Sequence, residues 1–218
     1  MRTSWIILMA LLASSGINLE AQDERVHPYM NAVSEQFSME EGYVLTVDYI
    51  REDIMSESSY EGTGKIWMKG KSYRMEVEEY ILYYDGETLW SQNTDLEEVY
   101  VSIPDPDDAG YFQSVPISVI KAYQQDFRYV YKGKRPFNGR ECAEIQLSPI
   151  DLSGPYSMLL MYVHPSTMKL SGFVLKHKEG INYSLYITEK EGRQKLNADD
   201  FRFQQENYPE TELIELIQ

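Results

Sequence analysis

The stretch "YYDGETLW", residues 83–90, decides the fold of this 218-residue chain. Asp85-Gly86 stands between runs of aromatic and aliphatic residues, and Asp-Gly in that setting is a strong hairpin signal, with positive φ expected at both central positions. Aromatic and β-branched residues suit a pleated, half-buried surface. Tyr83, Tyr84, Leu89 and Trp90 therefore flank a turn in an antiparallel sheet.

Outward from this hairpin the strand pattern continues in both directions. Before it come "YVLTVDYI" (43–50), "GKIWMK" (64–69), "SYRMEVE" (72–78) and "YILYYD" (80–85); after it come "ETLWSQ" (87–92) and "EEVYVSI" (97–103). In "YRMEV", Tyr73, Met75 and Val77 share one face while Arg74 and Glu76 share the other, as period-2 alternation requires. The Pro/Asp cluster from Pro104 breaks the sheet. A helix then fits from about Ser114, with Val119, Ile120, Tyr123 and Phe127 along one stripe. Strands resume with "FRYVYKG" (127–133), a second hairpin at Asn138-Gly139, and a meander through "SMLLMYVH", "KLSGFVLKHK" and "NYSLYITEKE". At the other end, residues 23–41 read as a helix closed by Gly42, with Val26, Met30, Val33 and Phe37 on one side. The tail 201–216 suits either a short helix or a terminal strand.

This gives about 10–11 antiparallel strands with one helix before them and one inserted halfway. A sheet of that size curls, and a curled sheet with an apolar inner face must be filled or covered. The inserted helix is a natural cover. With no internal repeat or linker, residues 22–218 form a single domain.

Residues 1–21 stand apart. Arg2 supplies a positive start, "WIILMALLA" (5–13) an apolar run, and Ala21 a small residue for cleavage, the pattern of a secretory signal peptide. The run falls short of the roughly 20 residues a spanning helix needs. Its removal takes away Arg2 and Glu20, leaving 19 basic and 34 acidic residues, so the balance of −15 is unchanged. Such acidity argues against nucleic acid as a partner. We expect an exported, periplasmic product, and N-terminal sequencing of secreted material should begin near residue 22. An intact Met1 would refute this.

Little in the sequence points to bond chemistry. The histidines, His27, His164 and His177, are not at metal-ligand spacing, and neither a P-loop nor a G-x-S-x-G motif occurs. "DPDDAG" (105–110) places Asp105, Asp107 and Gly110 as in a calcium loop, but Ala109 and Pro116 occupy ligand positions. The sole cysteine, Cys142, excludes an internal disulfide and reads as a small buried apolar residue. We expect a non-enzyme without metal or cofactor.

The order of motifs resembles the periplasmic outer-membrane lipoprotein carrier (LolA-like) family. Gly64, Trp67, Lys69, Tyr73, Arg74, Asp85, Gly86, Leu89 and Trp90 match that family's pattern in sequence, and "FRF…YPETELIEL" resembles its ending, which favours a terminal strand. The resemblance implies an unclosed, strongly curved antiparallel barrel with a helical lid over an apolar cavity. It implies no cofactor, a monomer, lipoprotein acyl chains or another lipid as cargo, and an inner-membrane release complex and outer-membrane acceptor as partners. Relatives of the fold include the lipidated receptor LolB and the envelope sensor RseB. Lining residues would be Trp67, Tyr73, Met75, Val77, Leu82, Tyr84 and Trp90 from the sheet, with Val119, Ile120 and Tyr123 from the lid. Where the family has Arg-Pro this chain has Lys69-Gly70; Lys69 would latch the lid, as a point charge without the guanidinium fork.

Overall fold

The computed structural model describes residues 23–37, 42–103, 126–154 and 156–216. After a short 3-10 turn at Glu24–Val26, helix α1 spans His27–Gln36. Twelve strands follow: β1 Gly42–Asp53, β2 Ser58–Lys69, β3 Ser72–Val77, β4 Tyr80–Tyr84, β5 Leu89–Asn93, β6 Glu98–Ser102, β7 Phe127–Phe137, β8 Arg140–Pro149, β9 Tyr156–Val163, β10 Leu170–His177, β11 Ile181–Gln194 and β12 Glu212–Glu215. They form one sheet in the order β12-β6-β5-β4-β3-β2-β1-β11-β10-β9-β8-β7. All neighbours run antiparallel except β12, which lies parallel to β6. β12 and β7 are the two edges and do not pair, so the barrel is unclosed. The tail is the twelfth strand, one more than the alternation alone supplies.

One face of this sheet carries the main core. Leu45 and Val47 of β1, Ile66 and Met68 of β2, Ile145 and Leu147 of β8, and Leu159 and Met161 of β9 belong to it. Bulges in β7, β9, β10 and β11 bend the strands around this inner face. The stripe Val26, Met30, Val33 and Phe37 is buried against it. Burying each such side chain contributes about 1.5–3 kcal/mol, which seats a helix too short to be stable alone. Tyr29 stacks on Tyr131 of β7 at 5.8 Å and Phe37 packs edge-on to Tyr43 of β1 at 5.2 Å. Gln36 donates to the carbonyl of Met168 just before β10, and Lys190 of β11 donates to the Gln36 carbonyl. These contacts hold α1 over β1 and β7–β11.

Three local expectations change. Gly42 does not stop the helix: α1 ends at Gln36, and Gly42 opens β1 opposite Gln194. Phe127 is the first residue of β7, paired with Pro149, rather than the end of a helical stripe. At Asp85-Gly86 only the glycine has positive φ, because the connection is four residues long, with Tyr84 opposite Leu89. The Asp85 carboxylate itself organises the turn, accepting the amides of Glu87 at 3.1 Å and Thr88 at 2.9 Å. Asn138-Gly139, by contrast, has both residues at positive φ in a two-residue loop.

The sheet's outer face carries two further clusters. Phe137, Cys142 and Tyr162 form one, with the rings of Phe137 and Tyr162 stacked at 3.9 Å; Cys142 is fully buried there. Tyr83, Val99 and Phe203 form the other, joined by Ile81, Trp90, Val101 and Tyr208. Phe203 and Tyr208 come from the segment between β11 and β12, which crosses this face as a strap. Arg202 fastens it to Asp85 at 2.9 Å. Burial works to raise the Asp85 pKa, but the Thr88 and Glu87 amides and the Arg202 guanidinium outweigh it and hold the carboxyl below its usual range.

Candidate functional site: the inner face of β2–β5

The antiparallel register puts Tyr73 opposite Met68 and Tyr84, Met75 opposite Ile66 and Leu82, and Val77 opposite Gly64 and Tyr80. Tyr73 and Leu82 belong to the main core cluster, and Met75 and Tyr84 pack against it. Tyr73, Met75, Val77, Leu82 and Tyr84 thus share the inner face. Tyr73 and Tyr84 lie ring to ring at 5.2 Å. Fully buried Leu89 extends the surface onto β5.

Trp67 and Trp90 are elsewhere. Trp67 faces Arg74 across β2 and β3, with the guanidinium 5.1 Å from its ring centre and 5.3 Å from that of Tyr83. Trp90 pairs with Tyr83 in the strap-covered outer cluster. The reason is the pleat: Ile66 and Met68 take the inner positions, so the residue between them must point outward. Lys69 donates to the carbonyl of Leu196, at the start of the strap, at 2.8 Å. Its partner is therefore strap backbone. Val119, Ile120 and Tyr123, with the "DPDDAG" stretch, lie outside the described residues, as do residues 1–22.

Ile66 and Met68, which compete with Trp67 for the inner face, take it, and Leu89, Leu45 and Val47, absent from the expected lining, complete it. The signal was present, since "LTV" and "IWM" alternate as clearly as "YRMEV". Tyr49 continues the same face and lies across Gly62, where a Cβ would come within 2.5 Å of its hydroxyl. Burial, and after it the negative charge of Glu78, push the Tyr49 hydroxyl up to about 12. Burial likewise raises Tyr84. These hydroxyls stay neutral at ordinary pH, so the surface offers apolar area with neutral polar tips. Among the described residues no group of three or more His, Cys, Asp or Glu is placed to hold a metal ion.

No protein-family model matches the chain, and no curated protein matches it at a significant level. Solved structures do. An uncharacterized conserved protein from Thermus thermophilus matches with a TM-score of 0.56 at 9% identity, over 88% of this chain and 100% of that one. A DUF1329 family protein from Desulfovibrio piger matches at 0.48 and 12%, over 82% and 96%. A LolA superfamily protein from Nitrosomonas europaea matches at 0.42 and 11%, over 82% and 97%. The architecture is an unclosed and strongly curved antiparallel barrel behind an N-terminal helix. At these identities the likeness is one of fold alone, and the Thermus protein carries it.

Proposed function

We propose that this protein is an exported carrier that shelters the acyl chains of lipoproteins, or of another lipid, on the inner face of its sheet and passes them toward the outer membrane. The observation that supports it is the division of that face. Helix α1 is seated over β1 and β7–β11, while β2–β5 present a second apolar surface on which Met75, Val77 and Tyr84 remain only half-buried. Acyl chains entering such a trough gain roughly 25 cal/mol per Å² of apolar area removed from water. The process needs no bond chemistry.

Mass spectrometry of lipid that co-purifies with the native protein tests the reading directly. A protein consistently free of lipid would be a partner-binding envelope protein of the same fold. A sharper test uses Met75→Glu, which sets a charge on the inner face between Ile66 and Leu82. An ionised carboxylate against apolar cargo is costly, whereas half-burial lets it reach water in the empty protein. Binding of an apolar dye should fall by about tenfold or more with little change in the melt. Glu76→Gln, on the adjacent residue but the opposite face, should bind dye like wild type. Equal loss in both variants would reject the inner face as the site.

A further inference from the structure

We propose that Arg51 anchors an anionic head group, so that the cargo class is an amphiphile with a single negatively charged group attached to its chains. This rests on the carrier reading above and specifies what that carrier takes. Arg51 lies at the end of the sheet where β1 turns into β2. The β1–β2 register has no bulge, so the alternation from Val47 through Tyr49 places Arg51 on the inner face. Its cross-strand neighbours are Tyr60 on β2 and Tyr183 on β11. A guanidinium between two tyrosines, at the end of an apolar surface, matches the place where an amphiphile passes from chain to head.

The acids nearby are hydrogen-bonded elsewhere; the Ser56 amide above all, and last the charge of Arg51, hold the Asp53 carboxyl below its usual range. Asp53 accepts the amides of Met55 at 3.0 Å and Ser56 at 3.2 Å. Glu78 accepts from the Tyr60 hydroxyl. Among the described residues, neither a hydrogen bond nor an ion pair holds the Arg51 guanidinium, which sits on a residue half-buried as a whole. A guanidinium with no hydrogen-bonded or ion-paired side chain of its own is a ready partner for a carboxylate or phosphate. Helix α1 ends at the opposite end of β1, where Phe37 meets Tyr43. Eight residues of strand, about 27 Å at strand rise, separate that contact from Arg51. The Arg51 end is open: Tyr60 is 46% exposed and Met55 83%. In a chain with a net charge of −15, an anionic head group would otherwise be repelled, which is why a local cation decides selectivity.

The experiment compares 11-(dansylamino)undecanoic acid with its methyl ester, two probes with one chain and different charge, on the mature protein. Wild type should bind the acid about tenfold more tightly, the equivalent of about 1.4 kcal/mol. Arg51→Gln should bring the ratio close to one while leaving ester binding intact, and Arg51→Lys should keep part of the preference. Inorganic phosphate, at ionic strength matched with chloride, should displace neither probe. An acid-to-ester ratio near one in wild type, or a ratio unchanged in Arg51→Gln, would overturn the anchor while leaving the carrier reading standing. Displacement by phosphate would overturn the amphiphile and make Arg51 a soluble-anion site. Binding of neither probe would overturn both proposals. Should Arg51→Gln fail to fold, the wild-type ratio and Arg51→Lys decide the matter.

Discussion

Gly172→Ala should lower the melting temperature by about 10 °C, although it adds a single methyl group. Gly172 lies in β10 at φ +150°, beside a bulge between Leu170 and Gly172. A Cβ there would stand 2.0 Å from the Leu185 carbonyl oxygen and 2.9 Å from Cε1 of Phe137. The first of these is backbone in the neighbouring strand β11, so relief would require the β10–β11 ladder to part. The second is a ring stacked on Tyr162 and leaning on Tyr186 at 4.8 Å. Overpacking costs about 1–3 kcal/mol and the unfavourable φ a similar amount. Each kcal/mol moves the melt of a domain this size by about 2–4 °C. Gly139→Ala is the control: Gly139 also has positive φ, +72°, but a Cβ there meets nothing within 4 Å. It should cost only about 1–2 kcal/mol. Equal melts for the two variants would mean that φ alone matters and that the close approach of β10 to β11 does not.

How far the sequence predicted this molecule depends on whether a residue's surroundings are local. Val26, Met30, Val33 and Phe37 are legible because a helix repeats every 3.6 residues whatever it packs on. Asn138-Gly139 is legible because positive φ at two successive positions belongs to that residue pair. Asp85-Gly86 reads as the same turn but is not, since a carboxylate that accepts amides two and three residues on stabilises a longer loop equally well. The inner face around Tyr73, Met75 and Val77 follows from alternation with the charged pair Arg74 and Glu76. Trp67 and Trp90 do not, because Ile66, Trp67 and Met68 are apolar in succession, as are Leu82–Tyr84 and Leu89–Trp90, and alternation separates two faces without saying which is inside. What distinguishes them is the strap, whose Phe203 and Tyr208 show no periodicity and reach their partners only through the tertiary path of the chain. The same holds for Lys69: a lysine at a strand end announces a donor, but the Leu196 carbonyl that receives it is 127 residues away. Arg51 does not stand out in the sequence because a single charge at the end of an alternating strand ordinarily reads as solvent-facing.

Phe203→Ala should be as damaging as Gly172→Ala, by the opposite route of removing volume. Phe203 is buried, meets Tyr83 edge-on at 6.1 Å and stacks on Tyr208 at 5.5 Å. It is the side chain through which the strap holds the outer face of β4 and β5. Truncating a buried phenylalanine costs about 3–5 kcal/mol, so the melt should fall by roughly 8–15 °C. The loss has a second signature. Trp90 belongs to the same cluster, and opening it to water should shift its emission to the red. Phe203→Leu fills most of the space and should recover more than half of the stability without restoring the ring contacts. Dye binding on the inner face, measured below the melt, should stay close to wild type, since the sheet lies between the two surfaces. Were dye binding to fall in step with stability, the strap would be coupled through β3 and β4 to the apolar trough. A melt unchanged by Phe203→Ala would instead mean that the sheet holds its shape without the strap, leaving β12 as a dispensable edge on β6.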